Sequence, residues 1–525
     1  MNEYLHALRE GITPKLVTAI IKDHKIDSDR MQGLYKRYRT DTDGVPILQR
    51  KPIEYEDFET GAIKRIDNKV NNQLNDAFDG DIVDTKVGYM FGHAISYQVD
   101  TGKKTEKVKD RVKSPLEKAI EEFNLRSNVE DQDAEWGKKA AICGYGARLA
   151  YIDKDGRERV KNINPWEVII LSSDDITEPE YSIRYYKVIR VFSDGTKKEI
   201  HKAEVYDDTK IYFFEAESES DYQYIKEQVH LFDLCPLYGL PNNEELMGDA
   251  ERVIKLIDAY DRTFSDASNE IEQYRLAYLI LKGMGADEET LQRLKETGIF
   301  ELYDEKEDVK YLTKDINDQM IENHLNRLEE NILRFAKSVN FSDEAFGGNV
   351  TGVAMKFKIM ALENKCITME RKMTSALRYQ YKVLCSAWSK RNICSKEDFL
   401  KVWFGFKRNL PANVLDEAQS TVQLMGKVSE RTRLSLLTFV DDVDYELEEM
   451  QKDAELYGAR LEPLGGDSSL SSAGGSVTGA GTKGNNNDED EKSCPDCGGD
   501  GTVFSSKSNR DINCKTCGGD GVITR

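Results

Sequence analysis

The chain has 525 residues, of which 32% are charged and 39% hydrophobic, and its formal net charge is −21. This length exceeds one ordinary hydrophobic core, so we expect several domains or an extended architecture. A mean hydropathy of −0.61 indicates a soluble chain with a large surface. The negative charge argues against a regulator that grips nucleic acid by neutralising phosphates. It is compatible with a surface that repels nucleic acid and with acidity that only maintains solubility.

No apolar run reaches the length of about 20 residues that spans a bilayer, and the N-terminus lacks the basic and apolar segments of a signal peptide. We therefore expect a cytoplasmic protein with no membrane span. Five of the nine cysteines are scattered through apolar or helical surroundings, as is typical of small buried hydrophobic residues in a reducing compartment. These five are Cys143, Cys235, Cys366, Cys385 and Cys394.

The first part of the chain is predicted to be helical. Apolar residues recur at helical spacing between Ile12 and Ile26, and residues 66–145 are mostly helical with an interruption around 88–97. Ser114, Pro115 and Glu117 have the types and spacing of a capping box with proline at the first helical position. A helix is therefore predicted to begin there.

Residues 146–232 are predicted to be rich in β-structure. Asp153–Gly156 is typical of a hairpin turn between two strand-like segments, and Ser193–Gly195 follows a strand over 181–192 in the same way. Lys210–Glu215 is predicted to be a further short strand. Much later in the chain, the alternation over Phe399–Phe406 also predicts a strand.

Three long helices are predicted in the second half. Residues 249–282 contain neither Gly nor Pro, and their apolar steps of three and four predict one unbroken helix of about 50 Å. A coiled-coil seam and packing within a multi-helix assembly both fit it. A second helix covers about 316–339, and a third runs from Val353 to about Arg391. Helices also fill about 412–457, with a break near Gly426.

A glycine-rich loop separates the second and third helices. Three glycines and an asparagine within six residues prevent a helix there. Such a loop can change shape while its flanking helices stay rigid, and an ordinary helix connection is the alternative reading. The loop's candidate functional residues are Phe346, Gly347, Gly348, Asn349, Val350 and Thr351.

The strongest single motif lies at the end of the chain. Residues 463–493 are rich in Gly, Ser, Asn and acidic residues and are predicted to be a flexible linker. Two copies of C-x-x-C-G-G-D-G follow, with cysteines at Cys494, Cys497, Cys514 and Cys517. Four thiolates in two turns suit tetrahedral Zn²⁺ with no open position, which predicts a structural zinc module over 494–525. A disulfide framework or an unstructured tail are the alternatives.

Catalytic constellations are absent from the sequence. Neither G-x-x-x-x-G-K-[ST], H-E-x-x-H nor G-x-S-x-G occurs, and the six histidines are dispersed. We therefore predict no catalytic residues and a protein that is not an enzyme.

Several segments, spread over about 30–460, together resemble the portal (head-to-tail connector) proteins of long-tailed phages of Gram-positive bacteria. No segment is diagnostic alone, but their order is specific. They are Asn68–Asn72, Asp81–Gly92, Cys143–Gly146, Asp153–Gly156, Ile163–Pro165, Pro241–Glu244, Leu256–Asp261, Ser265–Asp266, Thr351–Lys358 and Phe406–Pro411. The terminal repeats resemble the C-x-x-C-x-G-x-G zinc modules of DnaJ-type co-chaperones, over the last 32 residues only.

The portal resemblance implies a mainly helical α+β fold with wing, stem, clip and crown regions arranged as a dodecameric ring. The implied division is as follows: wing 1–248 and 352–411, stem helices 249–274 and 316–341, clip 275–315, tunnel loop 342–351 facing DNA, and crown 412–462. A linker over 463–493 and the zinc module over 494–525 follow, and the zinc module departs from the family pattern. A role for the module in binding scaffold, terminase or capsid is a hypothesis.

The same resemblance implies a DNA channel at one capsid vertex that serves packaging and ejection. The implied partners are further copies of the chain, double-stranded DNA, terminase, major capsid and scaffold proteins, and the head-tail adaptor. The implied location is the virion, with assembly in the host cytoplasm and no membrane partner. Two other readings stay open: a non-viral scaffolding protein with a zinc-dependent tail, and a zinc-dependent enzyme or co-chaperone.

Overall fold

The computed structural model of the protein describes residues 3–52, 54–56, 63–65, 70–100, 113–173, 176–274, 278–282, 308–312, 318–341, 352–409, 414–437, 440, 443–458, 491–493, 502–505, 510–513 and 522–524. The chain divides into two compact units, Met1–Ala454 and Glu455–Arg525. Helices and strands mix in the first unit, in agreement with the predicted α+β class.

The described helices carry most of the first unit. They are α1 (Tyr4–Glu10), α2 (Pro14–Tyr38), α3 (Phe78–Phe91), α4 (Pro115–Ser127), α5 (Val129–Cys143), α6 (Ile254–Tyr274), α7 (Asp318–Ala336), α8 (Gly352–Lys390), α9 (Val414–Gln423), α10 (Glu430–Leu434) and α11 (Val443–Gly458). The predicted capping box is confirmed, since Ser114 Oγ accepts from Glu117 N and Glu117 accepts from Ser114 N. The helix break at Gly426 is also confirmed, at φ +75°.

The prediction of one unbroken helix over 249–282 is wrong. A short 3₁₀ turn at Glu251–Val253 precedes α6, which ends at Tyr274, and Tyr278–Lys282 is a strand. That strand pairs antiparallel with Asp308–Leu312. A short apolar run fits a buried strand as well as a helix, and a partner about thirty residues away decides the outcome.

The strands form one large sheet and several small ones. The larger strands are β3 (Ser96–Val99), β4 (Tyr145–Ile152), β5 (Glu158–Ile163), β6 (Val168–Leu171), β7 (Tyr181–Val191), β8 (Lys197–Tyr206), β9 (Lys210–Ala216), β10 (Gln223–Val229), β11 (Leu237–Pro241) and β14 (Val402–Gly405). The sheet orders are β10-β9-β8-β7-β6, β11-β4-β5 and β14-β3. The two-stranded sheets pair β1 (Glu54–Glu56) with β2 (Ile63–Arg65) and β12 (Tyr278–Lys282) with β13 (Asp308–Leu312).

Both predicted hairpin turns are confirmed, between β4 and β5 and between β7 and β8. The strand predicted over Phe399–Phe406 is shorter, because a 3₁₀ turn occupies Asp398–Lys401 before β14. No separate strand was predicted for β3, β6, β10 or β11, although β6 and β10 lie in the region 146–232 that was predicted to be rich in β-structure.

The main core surrounds α8 from Ile359 to Trp388. Met369 and Met373 are fully buried there, which fits core packing, whereas Met360 is 54% exposed. Outside the tail, the cysteines are free thiols, four of them buried and Cys394 half-buried. Burial raises the pKa of Cys143 and of Cys235 to about 12, which fits inert core residues.

Candidate functional site

The candidate functional region is the pair of helices α6 and α7 together with the two flanks of the glycine-rich loop. The loop residues Phe346, Gly347, Gly348, Asn349, Val350 and Thr351 lie outside the described residues, and so do Cys494, Cys497, Cys514 and Cys517. The structure therefore describes what holds the loop's two ends, and the strands that flank the cysteine repeats.

Helices α6 and α7 pack on the start of α3 through a small apolar core. Ile257 of α6 and Ile332 of α7 are fully buried, and Ile82 of α3 lies against them. Phe78 meets the Tyr260 ring edge to face, with 5.0 Å between ring centroids. The helix pair is thus joined to α3 at this end.

The chain leaves α7 in a fixed direction. Lys337 adopts φ +56°, its N–H donates to Arg334 O at 3.3 Å, and Ser338 N–H donates to Leu333 O at 2.9 Å. These two bonds form a Schellman motif, which satisfies the last carbonyls of the helix. A lysine occupies the left-handed position that usually favours glycine.

A buried charge cluster holds the end of α7 against α8. Lys365 Nζ donates to Ala336 O at 2.9 Å and lies 3.2 Å from Asp249. Lys86 Nζ lies 3.1 Å from the same carboxylate and donates to Asn242 Oδ1 at 2.6 Å. One carboxylate thus serves two cations that come from α3 and α8.

The environment sets the charge states in this cluster. Burial opposes ionisation of Asp249, but the two lysines outweigh it and lower the pKa of its carboxyl. Burial lowers the pKa of Lys365, and Asp249 partly offsets this effect. The cluster therefore keeps the entry to α6, the end of α7 and the middle of α8 together through charge.

A second buried ion pair joins α2, α3 and α6. Arg37 Nε and Nη2 each donate to the Asp79 carboxylate at 3.0 Å, and Arg37 Nη1 donates to Asp258 Oδ1 at 2.8 Å. Burial raises the pKa of Asp79, which the guanidinium partly offsets. A bidentate pair of this kind fixes orientation as well as distance.

The segment 70–77, which has no regular secondary structure, lies along α6, and we call it the strap. Its backbone N–H groups at positions 72, 74 and 76 donate to the side chains of Asn269 at 2.7 Å, Ser265 at 3.0 Å and Asp261 at 3.2 Å. Two extended residues span about 6.6 Å and four helical residues about 6.0 Å, so every second strap residue meets every fourth helix residue. The strap is thereby held in register with α6 by side chains.

A cavity of about 180 Å³ lies where α3, α7 and the loop's first flank meet. Its walls include Phe78, Asp81, Leu333 and Val339. Pockets for small molecules usually measure about 300–1,000 Å³, so this cavity is small for a substrate. Among the described residues, no three His, Cys, Asp or Glu side chains are grouped as metal ligands.

The segment after β14 is tied to the first half of α8. Arg408 donates to both oxygens of Glu363 at 3.0–3.2 Å and to Glu370 at 2.6 Å. Tyr89 also donates to Glu363, at 2.6 Å. The two carboxylates of this half of α8 thus face Arg408.

Four short strands flank the cysteine repeats in the second unit. They are β15 (Glu491–Ser493), β16 (Thr502–Ser505), β17 (Arg510–Asn513) and β18 (Val522–Thr524). Strand β15 pairs with β18, where Ser493 meets Val522, and β16 pairs with β17, where Thr502 meets Asn513. In the sequence, repeat 494–501 lies between β15 and β16, and repeat 514–521 lies between β17 and β18. Each repeat therefore connects one strand pair to the other.

Comparison with known proteins identifies the family. Residues 18–457 match the family described as phage portal protein, SPP1 Gp6-like. The chain belongs to this phage portal family. Portal proteins of this family are structural components of the virion.

Two curated portal proteins are similar to this portal chain. One, from Bacillus phage SPP1, is 26% identical over 430 residues, which cover 77% of this chain and 81% of the relative. The other, from Clostridium phage phiCD119, is 23% identical over 419 residues, or 76% of this chain and 87% of the relative. The family match ends at residue 457 and does not include the cysteine repeats.

Sequence reasoning about this portal chain missed the strap and both buried ion clusters. A signal for the strap was present: Asp261, Ser265 and Asn269 recur every four residues on α6, beside the Asn-rich segment at 71–75. Within the described part of the chain, no helix is both long and apolar enough to cross a membrane.

Proposed function

We propose that copies of this portal protein form a closed ring, a dodecamer by family resemblance, at one vertex of the capsid. Its channel carries double-stranded DNA during packaging and ejection. The ring docks the terminase motor and the head-tail adaptor, and it helps start assembly with the capsid and scaffold proteins. Transport work is done by the terminase, and this chain is not an enzyme. The family match over residues 18–457 carries this proposal.

The loop 342–351 faces the DNA in this proposal. Support comes from its flanks: the Schellman motif fixes the exit from α7, and the Lys365–Ala336 bond fixes that exit against α8. A glycine-rich loop between ends fixed in this way can change shape without moving the helices. A loop that changes shape in this way suits a constriction through which a DNA duplex moves.

Electron microscopy of the purified full-length protein tests the ring. We expect rings with a central hole, alone or when the chain is produced together with the capsid and scaffold proteins of the same phage. Monomers or filaments under both conditions would contradict the proposal.

A loop variant tests the DNA-facing role. Replacing Gly347 and Gly348 with proline should leave the ring intact and stop DNA packaging in infected cells. The matched control replaces Gly474 and Gly475, in the linker, with proline and should package normally. Normal packaging by the loop variant would refute the role of the loop.

We also propose that the terminal module binds one structural Zn²⁺ through Cys494, Cys497, Cys514 and Cys517. Support comes from the strand register, since both repeats run between the same two ladders and each begins directly after a paired residue. A module of about 32 residues rarely folds on a hydrophobic core alone, and four thiolates satisfy tetrahedral zinc. We further propose that the module binds scaffold, terminase or capsid protein.

Metal analysis of the full-length protein tests the zinc site. We expect about one zinc per chain, lost in a Cys497→Ser/Cys517→Ser variant whose first unit keeps its melting temperature. Cys394→Ser, which changes a half-buried thiol outside the tail, should keep the metal. Full zinc content in the double variant would refute the site, and normal assembly and packaging by it would refute the partner role.

A further inference from the structure

One face of α8 is exposed along more than half of the helix. Its members recur every three or four residues and lie within an arc of about 100° over about 32 Å, and we call them the outer stripe. The stripe consists of Phe357, Met360, Ala361, Asn364, Thr368, Arg371, Ser375 and Arg378, all exposed.

The composition of the stripe is unusual for this chain. It contains no acidic residue, although the chain has 95 acidic against 74 basic residues. The acidic side chains of the same half of the helix, Glu363 and Glu370, are bound by Arg408 and belong to another face. The stripe is therefore apolar at its first end and basic at its second.

Within the described residues, both ends of the stripe are without partners. Phe357 is 69% exposed and Met360 54% exposed. Across the part of the chain that the structure describes, neither Arg371 nor Arg378 makes a hydrogen bond or an ion pair. These arginines lie seven residues apart, about two turns, and so project from the same side.

We propose that the outer stripe is a contact surface for a second copy of this chain. The occupant follows from charge, since each copy carries a net charge of −21, which attracts the two arginines that have no partner among the described residues. Duplex DNA would match the arginines, but it offers no counterpart to an exposed phenylalanine and methionine at the other end.

The size of the stripe limits its share of the contact. A strip about 32 Å long and 10 Å wide covers about 320 Å², less than half of the roughly 800 Å² that each partner buries in a stable interface. The stripe must therefore be one part of a heterologous contact whose other side is a different surface, as a closed ring requires. This inference rests on the proposed ring.

Charge reversal in the full-length protein tests it. Arg371→Glu/Arg378→Glu should weaken subunit association on the order of a hundredfold, because like charges then meet across the contact. The control, Lys154→Glu/Arg157→Glu, makes the same charge change on the exposed β4–β5 turn and should form rings normally. Sedimentation velocity measures the ring fraction, and melting temperature verifies that each variant is folded.

The apolar end is tested separately by Phe357→Ser/Met360→Ser, which should also yield folded monomers. Rings from the unmodified chain and from both stripe variants, Arg371→Glu/Arg378→Glu and Phe357→Ser/Met360→Ser, would overturn the inference and leave the ring proposal standing. No ring from any chain, even with capsid and scaffold proteins present, would overturn both. Intact rings with impaired duplex binding or packaging in the Arg371/Arg378 variant would show that the stripe contacts DNA, which also overturns it.

Discussion

Replacing Asp249 with asparagine should strongly destabilise the protein. It leaves Lys86, whose side chain is 2% exposed, and Lys365, at 16%, without a carboxylate within ion-pair distance among the described residues. Breaking a buried ion pair costs about 3–5 kcal/mol. Because Asp249→Asn leaves two cations without their carboxylate, we expect it to lower the free energy of unfolding by about 4 kcal/mol. Lys365→Met strands no charge, because Lys86 and Asn242 still bind Asp249, and should cost about 1–2 kcal/mol.

These costs predict measurable shifts in melting temperature. At about 2 cal/mol/K per residue, a unit of about 450 residues has an unfolding entropy near 0.9 kcal/mol/K, so the expected losses are about 4 °C for Asp249→Asn and 1–2 °C for Lys365→Met. Hydrogen exchange should also accelerate over residues 333–341. Asp266→Asn, which breaks a half-exposed pair with Arg50, is the control and should change little. If the melting temperature of Asp249→Asn fell by no more than that of Lys365→Met, Asp249 would not be the counter-ion on which both lysines depend.

Three further predictions follow from buried or constrained positions and from charge. Burial lowers the pKa of His24 to about 4, so between pH 6.5 and 4 His24 is protonated in the unfolded chain but neutral in the folded chain. The free energy of unfolding should therefore fall by about 3 kcal/mol as the pH falls through that window. His24→Gln should remove this pH dependence in thermal melts. Gly144→Ala should cost about 3 kcal/mol of stability, because φ at Gly144 is +96° and a Cβ would lie 2.0 Å from Leu246 O. The control Gly156→Ala should cost about 1 kcal/mol, because φ is +72° but the space around it is open. Equal melting temperatures for the two variants would contradict this prediction. The full-length protein should bind free duplex DNA weakly and with little salt dependence, and tight binding that collapses with added salt in a titration would contradict a repelling channel wall.

The sequence was informative wherever a local pattern determined the structure. The third long helix was predicted from Val353 to about Arg391 and runs from Gly352 to Lys390. Capping and turn residues also located the start of α4 and two hairpins. These signals act over a few residues, so no distant partner was needed to read them.

Non-local partners explain the failures. Strand β10 is exposed at every position and pairs only at the edge of its sheet, so no alternation marked it. Strand β12 continues an apolar pattern that fits a helix. Lys86, Asp249 and Lys365 are spread over about 280 positions, and no spacing rule could bring them together. The loop and cysteine assignments stay predictions, because those residues lie outside the described ones.

The strap buries a polar face of α6. Asp261 and Ser265 are 1% and 0% exposed, so a hydropathy profile assigns to solvent a surface that is in fact buried. The strap has no regular secondary structure, yet its length is as constrained as that of a core strand. One inserted or deleted residue between positions 72 and 76 would turn each later N–H away from its acceptor. Evolution should therefore conserve the length of the strap.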